Sequence, residues 1–256
     1  MLTVGIDVGS ISAKAAVVEN GNLLAGTVIL TGYNAKSAGK KVFGILLGNL
    51  GIKPEAVDRI VATGYGRNSV DFADKAVTEI TCHAAGAHFQ DPSVRSVIDI
   101  GGQDSKAISL DSEGRVNDFA MNDKCAAGTG RFLEVMARAL EVDLDAFGDM
   151  SLKADAPAAI SSLCTVFAES EVISLIARGE KRENIIAGIH ESIGSRVLAM
   201  AKRVGVAEPV MMTGGVAKNI GVVKALENRA GVVIQVSPNA QINGAIGAAL
   251  LAAKGI

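Results

Sequence analysis

The sequence predicts an α/β protein built from two related halves. Its composition is the first indication, because 256 residues with 49% hydrophobic, 20% charged and 29 glycine residues are typical of a compact soluble chain with a sizeable core. The second is an internal repeat, in which IDVGSISAK at Ile6 returns as IDIGGQDSK at Ile98. The third is a change of period: short β-branched runs such as LTVGI alternate with helical patterns such as FLEVMARAL.

Each copy of the repeat predicts a β-hairpin with an acidic residue at its tip. The return strand of each hairpin then runs into a second turn, Asn-Gly in the first copy and Glu-Gly in the second, before another strand. At an offset of 92 residues, Asp7 aligns with Asp99, Gly9 with Gly101 and Lys14 with Lys106. Glycine lets backbone N–H groups approach a ligand, and a carboxylate suits hydrated Mg²⁺. We therefore predict a clamp on a metal-bound polyphosphate rather than two ordinary turns. Its expected binding residues are Gly9, Ser10, Ser12, Lys14, Gly101, Gly102, Gln103 and Asp104.

A third candidate element lies near the end of the chain, in PVMMTGGVAKN. A buried strand runs into Gly214-Gly215 and then into a helix, so backbone N–H groups and a helix N-terminus can face a phosphate or ribose. The expected binding residues here are Gly214, Gly215, Lys218 and Asn219. Other phosphate-binding motifs are missing, since the sequence contains neither GxxxxGK[ST] nor GxGxxG after a strand.

The three cysteines are an odd number, which argues against a disulfide framework. Cys125 precedes a Gly-Thr-Gly turn and a helical pattern, and Cys164 opens another helical pattern in SSLCTVFAESEVISL. A helix N-terminus stabilises a thiolate and equally an anionic metal–thiolate centre. Two cysteines cannot hold a four-thiolate cluster, whereas a two-fold dimer would supply four. From the residues alone, buried structural cysteines are the favoured interpretation, and a shared cluster is the alternative.

Several classes of partner are disfavoured by the sequence. The net charge is −2 without a Lys/Arg-rich run, so we expect no nucleic-acid binding. The sequence has no apolar stretch of membrane-spanning length and no secretory signal pattern, so we expect a cytoplasmic protein without membrane contact.

A further candidate metal site consists of Cys82, His83 and His88. We do not expect it to bind a metal, because the five-residue spacing of the histidines is poor for one helix face.

The order of these elements resembles the superfamily of actin, sugar kinases and heat-shock ATPases. The chain is more closely similar to the activators of 2-hydroxyacyl-coenzyme A dehydratases and to the ATPase subunits of benzoyl-coenzyme A reductase. The resemblance covers essentially the whole chain and rests on VATGYGRNSV, VIDIGGQDSK, MNDKCAAGTGRFLEVMA, AISSLCTVFAESEVISL, IIAGIHESIGSRV and VMMTGGVAKN. One departure is Ile11, where a threonine often follows Ser10 in this family.

The resemblance implies two ribonuclease-H-like domains of the actin-like ATPase fold with a nucleotide cleft between them. We expect them at 1–94 and 95–240, with the helix of 241–256 packing back on the first. It also implies ATP and ADP as ligands, and one [4Fe–4S] cluster that bridges a homodimer through Cys125 and Cys164 of each chain.

The activity implied is ATP hydrolysis coupled to the one-electron reduction of a partner iron–sulfur enzyme, either a dehydratase or a related reductase, including double-cubane cluster proteins. Reduced ferredoxin or flavodoxin would supply the electron. Asp7 and Asp99 would organise Mg²⁺, and Gln103 would orient the attacking water by analogy with other nucleotide hydrolases. A small-molecule kinase and a regulatory ATP-binding module of the same fold are the alternatives, but they leave Cys125 and Cys164 without a task.

Overall fold

The computed structural model describes residues 1–161 and 164–256. In chain order the strands are β1 (Leu2–Val8), β2 (Ser12–Glu19), β3 (Asn22–Leu30), β4 (Arg59–Thr63), β5 (Lys75–Ala76), β6 (Ser96–Ile100), β7 (Ser105–Leu110), β8 (Val116–Asn122), β9 (Val210–Thr213) and β10 (Ile234–Val236). The helices are α1 (Ala35–Leu50), α2 (Glu79–Gln90), α3 (Gly130–Ala139), α4 (Leu144–Ser151), α5 (Thr165–Ala177), α6 (Arg182–Val204), α7 (Ile220–Ala230) and α8 (Asn243–Ala253). Among these described residues, no helix has the length and hydropathy to span a membrane.

The described chain divides into two compact units, each with its own sheet. The first consists of Met1–Val97, Leu110–Asn117 and Ser237–Ile256, and the second of Ile98–Ser109 and Asp118–Val236. One five-stranded sheet has the order β3-β2-β1-β4-β5, and the other has the order β10-β9-β6-β7-β8. In both sheets the first strand of the repeated hairpin is central, with its hairpin partner on one side and a later strand on the other.

The first unit is built around β1, a strand buried along almost its whole length because it pairs on both edges and is covered on both faces. It pairs antiparallel with β2 and parallel with β4. On one face, Val4 and Ile6 pack against Val42 and Leu46 of α1. This helix begins at the Asn34 cap, whose side chain accepts a hydrogen bond from the Ser37 N–H at 2.9 Å.

Small residues allow α8 to lie directly on the other face of β1. A Cβ added to Gly5 would lie 2.0 Å from the Ala245 carbonyl oxygen, and one added to Gly247 would lie 1.7 Å from the Cys82 carbonyl oxygen of α2. The Thr3 hydroxyl donates to the Ala249 carbonyl oxygen at 2.9 Å. These contacts bring α2 and the first turn of α8 beside the end of β1, where Asp7 lies.

The second unit contains helices α3 to α7 besides its sheet. Helix α6 packs against α4 and α7, and α3 packs against α4 and α5. Phe132, Phe147, Ile185 and Leu226 are fully buried in this unit, and they come from α3, α4, α6 and α7 respectively. Its helices therefore enclose a hydrophobic core and fix the loops that precede α3 and α7.

Candidate nucleotide and cysteine sites

The first hairpin carries a paired carboxylate at its tip. Asp7 lies opposite Lys14 in the β1–β2 register, and Lys14 Nζ is 3.3 Å from Asp7 Oδ2. Asp7 is 6% exposed, and Lys14 keeps 15% of its side chain exposed. The Gly9 N–H donates to the Ser12 carbonyl oxygen at 3.1 Å and closes the turn. That N–H is therefore used within the hairpin, and Ser10 occupies the tip.

The second hairpin repeats this arrangement in a more deeply buried form. Lys106 Nζ is 3.1 Å from Asp99 Oδ2 and 2.6 Å from Asp104 Oδ2, with 2% of the lysine side chain exposed. The Gly101 N–H donates to the Asp104 carbonyl oxygen at 2.9 Å, as Gly9 does to Ser12. Gln103 stands exposed at this tip. The alignment of Lys14 with Lys106 thus corresponds to the same ion pair in both hairpins.

The backbone of the second hairpin holds the N-terminus of α3. The Gly130 N–H donates to the Gly101 carbonyl oxygen at 2.9 Å, and the Arg131 N–H donates to the Gly102 carbonyl oxygen at 2.8 Å. Free N–H groups at a helix start need such acceptors. Backbone hydrogen bonds therefore connect the hairpin tip that carries Gln103 to α3, the helix that follows Cys125.

The Gly214-Gly215 turn lies against the second hairpin. Gly214 has φ +87°, and a Cβ there would lie 2.3 Å from the Ile100 carbonyl oxygen, so only glycine fits. The preceding Thr213 hydroxyl donates to Asp99 Oδ1 at 2.8 Å. Lys218 is exposed one helical turn further on. The Gly214-Gly215 turn therefore lies next to Asp99, at the tip of the second hairpin.

Asn219 has a structural task in the arrangement. Its Oδ1 accepts a hydrogen bond from the Val222 N–H at 3.2 Å and caps α7, while its Nδ2 faces His190 Nε2 at 3.3 Å. Burial lowers the pKa of His190 to about 4, so the imidazole is neutral. The Asn219 amide, expected from the sequence to bind nucleotide, is engaged on both sides by its own unit.

The duplication extends further than the sequence analysis found. Thr63 ends β4 and Gly64 follows it, as Thr213 ends β9 and Gly214 follows it, and Thr63 is the register partner of Asp7. Gly64 has φ +86°, and a Cβ there would lie 2.3 Å from Asp7 Oδ1. The sequence signal of this wider duplication is a Thr-Gly pair at the end of a strand, in VATGYG and in VMMTGG. A match of two residues is too short to indicate a repeat by itself.

The two cysteines of the predicted cluster both lie in the second unit. Cys125 is half-buried in the loop between β8 and α3, where the Asn122 side chain donates to its carbonyl oxygen at 2.8 Å. Cys164 is exposed and is the N-cap residue of α5, with no capping hydrogen bond from its side chain. Helices α3 and α5 pack against each other. Each cysteine thus precedes one helix of a packed pair. Cys164 comes directly before α5, and Cys125 lies five residues before the start of α3.

Cys82 is of a different kind. It is fully buried in α2, and burial raises the pKa of its thiol to about 12. Its neighbour His83 is also buried and contacts the Asn243 side chain. Within the part of the chain that the structure describes, no group of three or more His, Cys, Asp and Glu side chains is arranged to hold a metal ion.

Helix α5 presents an exposed apolar face beside Cys164. Four of its large apolar residues are between 43% and 67% exposed, namely Val166, Phe167, Ile173 and Ile176, whereas Val172 is buried. Large exposed apolar surface is typical of an interaction site. We call these four residues the α5 apolar face.

Comparison with known proteins decides the family. The family model described as the BadF/BadG/BcrA/BcrD ATPase family matches residues 4–252. The chain belongs to this family. It is 50% identical over 256 residues to the activator of lactoyl-CoA dehydratase from Anaerotignum propionicum, covering 98% of this chain and 97% of that one. It is also 50% identical over 254 residues to the (R)-2-hydroxyglutaryl-CoA dehydratase activating ATPase from Acidaminococcus fermentans, with 98% and 97% covered.

Solved structures confirm the predicted fold class, an actin-like ATPase fold. Component A of the Acidaminococcus fermentans (R)-2-hydroxyglutaryl-CoA dehydratase is 49% identical and has a TM-score of 0.96, with 100% of this chain and 98% of that chain covered. The Clostridium difficile activator of 2-hydroxyisocaproyl-CoA dehydratase, solved with bound ADPNP, is 45% identical with a TM-score of 0.94 and covers 100% and 95%. A glucokinase from Streptomyces griseus, at 16% identity and TM-score 0.58, shares the fold alone.

Proposed function

We propose that this family member is an ATP-hydrolysing one-electron donor that reduces and thereby activates a partner iron–sulfur enzyme. The partner class we assign is a 2-hydroxyacyl-coenzyme A dehydratase or a related reductase. Relatives that match nearly end to end at 50% identity carry names that state activation of such dehydratases. The observation in this chain that carries the proposal is a pair of accessible cysteines, each of which precedes one of the two packed helices α3 and α5. The N-terminus of α3 is in turn hydrogen-bonded to the second hairpin, which carries Asp99 and Lys106.

The nucleotide part of the proposal assigns Mg-ATP to the hairpin tips. Asp7 and Asp99 would hold Mg²⁺ through its waters, because this ion keeps most of its hydration shell and takes few carboxylates. Backbone N–H groups at Ser10 and Gly102, together with Lys14, would bind phosphate oxygens. Further backbone contacts would come from Gly214 and Gly215, with Lys218 exposed beyond them. Binding of a nucleotide analogue by a relative at 45% identity supports this assignment.

Hydrolysis needs a group that orients the attacking water, and Gln103 is the candidate. It is exposed at the tip of the second hairpin, next to Gly102 and close in sequence to Asp99. A glutamine amide can accept from and donate to water at once, which is the water-positioning role that glutamine plays in other nucleotide hydrolases.

The cysteine part of the proposal assigns one [4Fe–4S] cluster to a homodimer. Two chains supply four thiolates from Cys125 and Cys164, and both side chains are accessible, as ligands of a shared centre must be. Cys82 does not fit, because it is fully buried and its pKa is raised to about 12. When bound, such a cluster accepts and releases one electron. The α5 apolar face adjoins Cys164 and would be covered by the second subunit.

Coupling between the two parts requires that nucleotide states differ in the free energy with which they bind the partner or hold the reduced centre. The hydrogen bonds from Gly130 and Arg131 to the carbonyl oxygens of Gly101 and Gly102 offer the route. A phosphate that draws in the tip would pull on the start of α3 and hence on the loop of Cys125. Reduced ferredoxin or flavodoxin is the proposed electron source.

A kinase of the same fold would use the hairpins equally well. The glucokinase likeness is too distant to carry an activity, and a kinase leaves the two accessible cysteines and the α5 apolar face unexplained. A regulatory ATP-binding module has the same defect. We therefore favour the electron donor.

Iron content of anaerobically purified cysteine variants tests the proposal. Cys125→Ser and Cys164→Ser should each abolish the cluster and weaken the dimer, whereas the wild type should contain about four iron atoms per dimer. Cys82→Ser is the matched control and should keep its iron. Iron retained in the Cys164→Ser protein, or a colourless wild type that phosphorylates a metabolite, would overturn the assignment.

A further inference from the structure

A carboxylate of α5 holds the chain segment that leads to Cys164. Glu171 accepts hydrogen bonds from the Ser161 backbone N–H, at 3.2 Å through Oε1 and at 3.0 Å through Oε2. The Ser161 hydroxyl donates to Glu171 Oε1 at 2.9 Å. Both donors of this serine are therefore bound by one side chain. We call these three hydrogen bonds the Glu171 contact.

The Glu171 contact lies close to Cys164 along the chain. Ser161 precedes Cys164 by three residues, and Cys164 is the N-cap residue of α5. On the other side of the cysteine, the Ala168 N–H donates to the Cys164 carbonyl oxygen at 2.9 Å. The backbone around Cys164 is therefore held by the first turn of α5 after the cysteine and by the Glu171 contact before it.

The thiol of Cys164 takes no part in fixing this backbone. An N-cap side chain commonly accepts a hydrogen bond from an N–H group of the first helical turn, but Cys164 makes no such bond. The residue is exposed, so its sulfur stays available to a ligand. The hydrogen bonds that fix the segment before α5 come instead from Glu171, which lies further along the same helix.

The chain before Ser161 is attached to a different helix. The Ala158 N–H donates to the Asn184 carbonyl oxygen of α6 at 2.9 Å, and the Asp155 N–H donates to the Asn184 side chain at 3.0 Å. Without the Glu171 contact, the nearest hydrogen-bonded backbone group before Cys164 that the described residues provide would be Ala158. The free segment would then begin six residues before the cysteine instead of three. A longer free segment has more conformations to lose when the cysteine takes a fixed place.

We propose that Glu171 is a positioning residue for Cys164, which it places for metal ligation by holding Ser161 against α5. The inference rests on the proposed function, in which Cys164 is a ligand of the shared cluster. Hydrogen bonds to an ionised acceptor are stronger than neutral ones. They order the segment before a metal binds, and such preorganisation lowers the entropy lost on binding.

Two substitutions of Glu171 change the contact to different extents. Glu171→Ala removes both acceptor oxygens, whereas Glu171→Gln keeps one oxygen that can accept from Ser161. Glu169→Ala is the matched control, because it removes the same side chain and charge two residues earlier on α5. Glu169 makes no hydrogen bond or ion pair with any residue that the structure describes.

Amide hydrogen exchange of the full-length protein, prepared without iron, tests the Glu171 contact itself. We expect the Ser161 N–H to exchange about tenfold faster in Glu171→Ala than in the wild type, because a lost hydrogen bond to a charged group shifts the local opening equilibrium by about that factor. Glu171→Gln should be intermediate, and Glu169→Ala should match the wild type. Mass spectrometry of fragments that contain Ser161 measures the rate, with circular dichroism as the check of folding. An unchanged rate in Glu171→Ala would overturn the inference.

The rate at which a chelator removes iron under anaerobic conditions tests the positioning of Cys164. Removal should be about fivefold to tenfold faster in Glu171→Ala, intermediate in Glu171→Gln and unchanged in Glu169→Ala. Faster exchange at Ser161 with unchanged iron removal would overturn the positioning role alone. Equal acceleration in Glu171→Ala and Glu169→Ala would also contradict it, because the loss of charge would then explain the effect.

Failure of the proposed function gives a different result. A wild-type protein without iron would overturn the cluster assignment and the positioning role with it, whatever the exchange rates are. If Glu171→Ala does not fold, Glu171→Gln decides. Intermediate rates in both measurements support the inference, and wild-type rates in both contradict it.

Discussion

Replacing one buried lysine by methionine tests the asymmetry between the two hairpins. Lys106→Met keeps the length and volume of the side chain but removes the charge, so that no cavity confuses the result. The matched variant is Lys14→Met, which removes the equivalent charge from the first hairpin. Lys106 is 2% exposed and contacts two carboxylates at 2.6 and 3.1 Å, whereas Lys14 is 15% exposed and contacts one at 3.3 Å.

The expected magnitudes follow from burial. Removing one partner of a buried ion pair costs about 3–5 kcal/mol, because an uncompensated charge stays behind. In Lys106→Met, Asp99 and Asp104 would lose their shared cation. For Lys14→Met we expect about 1 kcal/mol, since solvent partly screens the pair at the edge of the hairpin. In a chain of this size the larger loss lowers the melting temperature by about 10 °C.

Urea and thermal unfolding of the nucleotide-free proteins measure the difference. Circular dichroism at 222 nm is the suitable signal, because the chain has no tryptophan. We expect Lys106→Met to be less stable than Lys14→Met by at least 2 kcal/mol. A Lys106→Met protein within about 1 kcal/mol of the wild type, or a greater loss in Lys14→Met, would refute the reasoning from burial.

Two further predictions concern pH and hydrolysis. Because burial lowers the pKa of His190 from 6.5 to about 4, its contribution to stability is complete above pH 6.5 and is lost as the pH falls toward 4. Unfolding at pH 7.5 and 5 should show about 2 kcal/mol of pH-dependent loss that His190→Gln lacks, and equal losses would contradict this. Gln103→Ala should lower kcat for ATP hydrolysis more than it weakens nucleotide binding, as measured by turnover and equilibrium titration. A binding defect without a change in kcat would remove the water-orienting role.

Local patterns made the hairpins predictable. Asp7, Gly9 and Lys14 recur at a fixed offset, and the Asn20-Gly21 pair adopts the positive φ that a tight turn between strands requires. The position of Cys164 at the start of α5 likewise followed from the apolar pattern after it, whereas its exposure did not. These features depend on residues close together in the sequence.

Long-range contacts were beyond the reach of such patterns. His83 and Asn243 are 160 residues apart, and nothing in either segment indicates that their side chains meet. The contact between Asn219 Nδ2 and His190 likewise depends on where α6 places that histidine, whereas the helix cap that Asn219 makes is local. Whether a polar side chain serves a ligand or its own fold is decided by these tertiary neighbours.

The rate at which a chelator removes iron from the anaerobic wild-type protein tests most directly whether ATP acts on the cysteine site. The hydrogen bonds between α3 and the second hairpin predict that nucleotide binding shifts the loop of Cys125. Iron removal should be fastest with Mg-ATP, intermediate with Mg-ADP and slowest without nucleotide. A single rate in all three conditions would contradict coupling between the hairpins and the cysteines.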